Sequence, residues 1–207
     1  MHDGKIFRLG ILGSGKGSNF AAIADAISTG SLPATVAVVI SDVRDAGILD
    51  LARQRGIPTR FIEPGLFRTK LDDTAESAYV SALHEAQIDC ILLAGFMRIL
   101  KGAFLREFDG RVVNIHPSLL PSFPGLDAWK QALNYGVKVT GCTVHLVDQG
   151  VDTGPILGQA AVPVLDRDTH DSLHARIQAA ERKLYPEIVA RLARNEIEVK
   201  GRMARVR

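Results

Sequence analysis

At 207 residues with a formal net charge of +2, the chain can bury one substantial core, enough for one domain or one and a half. Hydrophobic residues make up 46% and charged residues 23%, an ordinary balance for a soluble globular protein, and so small a charge gives no case for nucleic acid as a partner. The two cysteines, Cys90 and Cys142, lie in apolar runs and read as buried hydrophobes in a reducing cytoplasm; no C-x-x-C or His/Cys cluster points to a metal.

The start of the chain lacks a long apolar export segment, and no run approaches the roughly 18 apolar residues of a membrane span. No repeat or low-complexity segment is present.

Ile6–Leu12 reads as a first buried strand. It runs into Gly13-Ser14-Gly15-Lys16-Gly17-Ser18-Asn19 and then into Phe20, Ile23, Ala24 and Ile27 at helical spacing. Strand, glycine turn and helix start together make an anion site, because glycines let backbone N–H groups approach a ligand and the helix end adds positive potential. Ser18 or Asn19 is the expected N-cap. Lys16 is out of place for a P-loop and Gly17 falls one residue early for G-x-G-x-x-G, so the turn says phosphate and little more.

Thr35–Ile40 is a second strand, followed by Asp42, read as the cap of a helix over Ala46–Arg55 in preference to a ribose-binding carboxylate. A short strand at Thr59–Ile62, a Pro64-Gly65 turn and a helix over about Asp72–Ala86 come next. Cys90–Ala94 is the fourth strand, and its exit, Gly95-Phe96-Met97-Arg98-Ile99-Leu100, is unusually apolar for a connection. Lys101–Glu107 is a short helix.

Val112-Val113-Asn114-Ile115-His116 is β-branched until Pro117 ends it, and Pro121 and Pro124 stiffen the loop beyond. Asn114 and His116 stand two apart, so on a strand they point to the same side and can converge on one site. Strands alternating with helices predict a mostly parallel sheet, covered on both faces, with the ligand crevice beyond the strands' carboxyl ends. Gly13–Asn19, Gly95–Leu100 and Asn114–Ser118 all fall at such ends. They describe an elongated site with a phosphate end, an apolar end and an Asn/His pair between.

After a helix over about Asp127–Tyr135, Val139–Val147 and Pro155–Val164 read as antiparallel strands bracketing Asp148–Gly154. Asp152 is either turn chemistry or the charged partner a histidine needs, and His145 either faces the site or packs. In the last helix Leu173, Ile177, Ala180, Leu184, Ile188 and Leu192 form the core stripe, Asp168 or Thr169 is the cap, and Pro186 should kink it. From spacing alone Glu181 is a solvated charge and the basic tail Lys200–Arg207 a frayed terminus.

Four stretches then converge: Gly13–Asn19, Ala94–Leu100, Asn114-Ile115-His116-Pro117-Ser118-Leu119-Leu120-Pro121, and Asp152-Thr153-Gly154-Pro155. In order and spacing they resemble the glycinamide ribonucleotide formyltransferases, over about Ile6 to Glu198. The Asn-x-His-Pro-Ser-Leu-Leu-Pro run is shared with other folate-dependent formyl transferases, and the glycine loop narrows the choice. The resemblance implies a Rossmann-like α/β fold in a single domain over 1–207, with a phosphate-binding half over about 1–100 and a catalytic and folate-binding half over about 101–200. It implies a cytoplasmic enzyme, monomer or homodimer, with small-molecule substrates, no nucleic-acid or membrane partner and no metal. Its co-substrate would be 10-formyltetrahydrofolate.

By position, the resemblance gives Gly17, Ser18 and Asn19 to the ribonucleotide phosphate and Glu181 to the ribose. It gives Asn114, His116 and Asp152 to catalysis, and Met97, Arg98, Ile99 and Leu100, with Asn114, to the folate. Lys70 stands where an arginine is usual, with Arg68 close by, and the two residue types are not interchangeable. The runner-up is a formyltetrahydrofolate hydrolase, but that family typically has a histidine where Pro117 stands and an added N-terminal domain. A methionyl-tRNA formyltransferase would need a further C-terminal domain. A dinucleotide-binding module on Gly13 and Asp42 would not require the Asn/His/Asp trio.

Overall fold

A computed structural model describes residues 6–207. The chain divides into two compact units, one ending at Val113 and the other running from Asn114 to Arg207.

In the first unit, strands β1 (Phe7–Leu12), β2 (Ala34–Ser41), β3 (Thr59–Phe61) and β4 (Cys90–Leu93) lie side by side in the order β3-β2-β1-β4, all parallel. Helices α1 (Ser18–Ser28), α2 (Gly47–Gln54) and α3 (Asp73–Glu85) connect them, and α4 (Gly102–Glu107) follows β4. Leu9, Ile11, Leu12 and the whole of β4 are buried, which is why β1 from Leu9 onward and β4 do not alternate apolar with polar residues. Gly10 lets α3 come close: a Cβ there would lie 2.6 Å from Leu83 Cδ2. The chain leaves β1 toward β2 and β3 and returns to β4 on the other side. The strand order therefore switches between β1 and β4, the place in an open α/β sheet where ligands are expected to bind.

Strand β5 (Val112–His116) carries the boundary, its last three residues belonging to the second unit. There α5 (Ala128–Tyr135) is followed by β6 (Val139–Leu146) and β7 (Ile156–Pro163), antiparallel as expected, with a register irregularity between Val144 and His145. Helix α6 (His170–Ala193) is capped by Thr169 in a reciprocal capping box with Ser172, and it continues through Pro186. It packs on β7, where a Cβ on Gly158 would lie 2.6 Å from Ile188 Cδ1. Trp129 of α5 stacks on His174 of α6 at 3.7 Å. Parallel pairs in the first unit, antiparallel pairs entering toward the C-terminus and flanking helices make the α/β class expected.

The tail departs from its reading as a frayed terminus. Ile197–Lys200 (β8) and Met203–Val206 (β9) form an antiparallel hairpin, and β9 joins β7 through Ile156 and Met203. Gly201, at a φ of 58°, makes the turn.

Candidate active site

In the first unit the glycine loop owes its shape to sterics. A Cβ on Gly13 would lie 2.6 Å from Ile48 Cδ1 and 2.9 Å from the Ala94 carbonyl oxygen. A Cβ on Gly17 would lie 2.9 Å from Ile48 Cα, and its φ of 82° is itself a glycine conformation. Gly17, not Ser18 or Asn19, is the N-cap of α1; the left-handed backbone takes the position that a capping side chain fills in other helices. With no side-chain cap and no acidic residue in the first turn, the positive end of the helix is left unneutralised. Ser18 and Lys16 are exposed beside it.

The apolar loop after β4 is drawn onto this turn. Ser14 donates its N–H to the Gly95 carbonyl (3.0 Å), and its Oγ accepts the Met97 N–H (2.9 Å). Asp42 corrects the sequence reading: it caps no helix, since Ala46 is the N-cap of α2 without a side-chain bond. Instead this 6%-exposed carboxylate accepts from Ser14 Oγ at 2.5 Å and from Arg98 Nε at 2.7 Å. Arg98 also donates to the carbonyls of Phe67 and Arg68. The Arg98 side chain thus ties three loops together, which leaves Met97 and Ile99 as exposed apolar side chains with Leu100 buried beneath. Lys70 bridges to Ile99 through the backbone, and its ammonium lies 4.1 Å from the Phe67 ring centroid; Arg68 is exposed.

In the second unit the structure brings Asn114, His116 and Asp152 together and adds His145. His145 Nδ1 donates to the Leu146 carbonyl (2.8 Å), so the lone pair on Nε2 accepts from Asn114 Nδ2 at 3.2 Å. One amide hydrogen of Asn114 remains for a ligand. Asp152 accepts the Gly125 N–H (2.8 Å) and lies 3.4 Å from His116 Nδ1 and 3.6 Å from His145 Nε2. His116 Nε2 donates to the Phe123 carbonyl at 2.9 Å, which makes Nδ1 the nitrogen that exchanges a proton.

Burial pushes the His116 imidazole below its usual range, outweighing the Asp152 charge and the Phe123 carbonyl that pull it back. Burial raises the Asp152 carboxyl, yet its two neighbouring imidazoles and the Gly125 N–H together hold it below its ordinary value. A neutral imidazole therefore faces an ionised carboxylate, an arrangement suited to receiving one proton and passing it on.

Glu181 is corrected too. It is 6% exposed, not solvated, and it lies on the core-facing stripe four residues after Ile177. Burial raises the Cys142 thiol to about 12 and the Glu181 charge adds to this, so Cys142 is an inert thiol. Among the described residues no group of His, Cys, Asp and Glu is arranged to hold a metal, and no helix is long and apolar enough to cross a membrane. Sequence reasoning missed the buried hydroxyl of Thr143 on β6, which binds the loop after β5; an unbroken run of small and apolar residues gave no signal for it.

The formyl transferase family model matches residues 7–189. The chain belongs to the formyl transferase family. A phosphoribosylglycinamide formyltransferase of Mycobacterium tuberculosis is 44% identical over 95% of this chain and 90% of that protein. The crystal structure of glycinamide ribonucleotide transformylase 1 from Symbiobacterium toebii is 46% identical, with a TM-score of 0.93, covering 99% of this chain and 95% of that one. The human trifunctional purine biosynthetic protein adenosine-3 is 43% identical over 93% of this chain, which spans only 19% of that relative's length.

Proposed function

We propose that this formyl transferase moves a formyl group from 10-formyltetrahydrofolate to the primary amine of glycinamide ribonucleotide, in de novo purine biosynthesis in the cytoplasm. The observation that carries the reading is the Asn114–His145–Asp152–His116 cluster at the end of an Asn-x-His-Pro strand, in a chain so similar to stand-alone phosphoribosylglycinamide formyltransferases. Gly17, Ser18 and Asn19 hold the phosphate at the uncapped start of α1, and the buried carboxylate of Glu181 accepts from the ribose hydroxyls. Met97, Ile99 and Leu100 receive the apolar part of the folate. Arg98 contributes through its backbone, because its guanidinium is spent on Asp42. Lys70 or its neighbour Arg68 meets the outer carboxylates.

The amine adds to the formyl carbonyl and gives a tetrahedral oxyanion, which the remaining amide hydrogen of Asn114 stabilises. The new ammonium loses one proton to His116 Nδ1, whose charge Asp152 balances at 3.4 Å. The carbon–nitrogen bond to folate then breaks, and that proton returns to the departing folate nitrogen, so each turnover is proton-neutral. The test is one absorbance assay of folate release, with glycinamide ribonucleotide or with water alone. Release that depends on the ribonucleotide is expected; release without it would make the chain a hydrolase.

A further inference from the structure

We propose that Thr143 is a positioning residue for His116: its hydroxyl clamps the loop after β5, so that the Phe123 carbonyl stays on His116 Nε2 and Nδ1 is left as the proton-exchanging nitrogen. The catalytic consequence rests on the function proposed above; the clamp itself does not.

Thr143 is 0% exposed, at the middle of β6. Its Oγ1 donates to the Ser118 carbonyl (2.7 Å) and accepts from the Leu120 N–H (3.0 Å) and from Gln159 Nε2 (3.0 Å). A hydroxyl has one donor and two acceptor positions, so all three are filled. Gln159, on the neighbouring strand β7, also donates to the Leu120 carbonyl at 2.9 Å. The Ser118 hydroxyl in turn donates to the Ser122 carbonyl at 2.6 Å, with a longer approach of 3.3 Å to the Phe123 carbonyl.

Phe123 has a φ of 54°, a left-handed conformation that a bulky aromatic residue adopts only when its surroundings insist. Those surroundings include the Ser118 hydroxyl, the Ser122 N–H bond to the Leu119 carbonyl and the Tyr135 ring 5.8 Å from the Phe123 ring; Thr143 acts on them through the Ser118 carbonyl and the Leu120 N–H. The strained residue presents the carbonyl that His116 Nε2 meets at 2.9 Å. Without the clamp, relaxation of Phe123 would carry the carbonyl away, and the ring would be free to place its proton on either nitrogen. The titratable groups facing His116 are Asp152 from the loop after β6 and His145 from β6 itself. Neither bonds to Thr143, so a change in Thr143 reaches His116 through the loop.

The experiment is nitrogen-15 NMR of the histidine rings in the full unliganded chain, with formyl transfer measured in parallel. Thr143→Val keeps the shape and removes the hydroxyl; Thr143→Ser restores it. In Thr143→Val, His116 should change from a single tautomer with its proton on Nε2 to a mixture, and titrate at lower pH by about half a unit. Its kcat should fall by ~10-fold or more while the KM for the ribonucleotide moves much less, and Thr143→Ser should return both readouts toward the parent. A folded Thr143→Val chain with an unchanged His116 tautomer and titration overturns the proposal. If Thr143→Val does not fold, Gln159→Leu removes one partner of the same hydroxyl and must shift the tautomer in the same direction, or the proposal fails. A shifted tautomer with unchanged formyl transfer upholds the clamp and instead removes His116 from the proposed mechanism.

Discussion

Replacing Asp152 with Asn removes one charge and almost no volume, so its consequences can be read directly from distances. The Asn side-chain oxygen can still accept the Gly125 N–H, now at 2.8 Å from Asp152, so the loop should hold. What disappears is the attraction for a proton on His116 Nδ1, 3.4 Å from the carboxylate. At an effective dielectric of about 20 that attraction is worth ~5 kcal/mol, an upper bound because Asp152 is partly open to water. Opposite charges at such range move a titration by roughly 1–3 units. The His116 titration, already displaced downward by burial, should therefore fall by at least about one further unit in Asp152→Asn. With its proton carrier weakened, kcat should drop by roughly 10²–10⁴-fold while the KM for the ribonucleotide stays within about threefold. Steady-state folate release gives the rates, and NMR of the ring gives the titration. A kcat within about threefold of the parent, or a His116 titration that rises, would refute the reasoning.

The same geometry gives three other outcomes. Gly17→Ala must place a Cβ 2.9 Å from the Ile48 backbone at a φ of 82°, so it should lose about 1–3 kcal/mol in denaturant melts and raise the KM for the ribonucleotide more than it lowers kcat. Arg98→Met leaves the Asp42 carboxylate buried without its ion-pair partner and should cost ~3–5 kcal/mol; a loss below about 1 kcal/mol would show that the pair does not organise the loops. Because His116 and Asp152 both titrate below their ordinary values in the folded chain, each contributes stability that is complete above its unfolded-state value and is lost as pH falls. The melting midpoint and kcat should both hold above pH 6.5 and decline on the acid side, and a kcat that rises on acidification would contradict a neutral His116 as proton acceptor.

The strands and the loops that end them were legible because both rest on local chemistry. A short run such as Cys90-Ile91-Leu92-Leu93 between turn signals suits a strand buried on both faces, Pro117 ends the next one, and Pro121 and Pro124 stiffen the loop beyond. Asp42 was not legible, because its partner Arg98 lies 56 residues away and a lone aspartate before a helix has the look of a cap. Glu181 was legible in principle: counting four from Ile177 puts it inside the buried stripe, and a carboxylate there contradicts solvation. The terminal hairpin carried a turn signal in Gly201, but the charges interleaved along β8 and β9 hid the strands.

Asp152 posed a choice in the sequence between turn chemistry and the charged partner of a histidine, and the structure gives it both. Asp152 itself has a φ of 54°, a turn conformation. Two residues on, a Cβ on Gly154 would collide with the Leu146 carbonyl oxygen, so the motif needs a glycine for the chain to pass. That same carbonyl accepts the Nδ1 proton of His145. It thereby fixes the tautomer that offers Nε2 to Asn114 and turns the amide so that one hydrogen remains for the proposed oxyanion. The glycine of Asp-Thr-Gly-Pro therefore does more than turn the chain: by admitting one carbonyl it orients His145, and through it Asn114, while the turn it completes holds Asp152 beside His116.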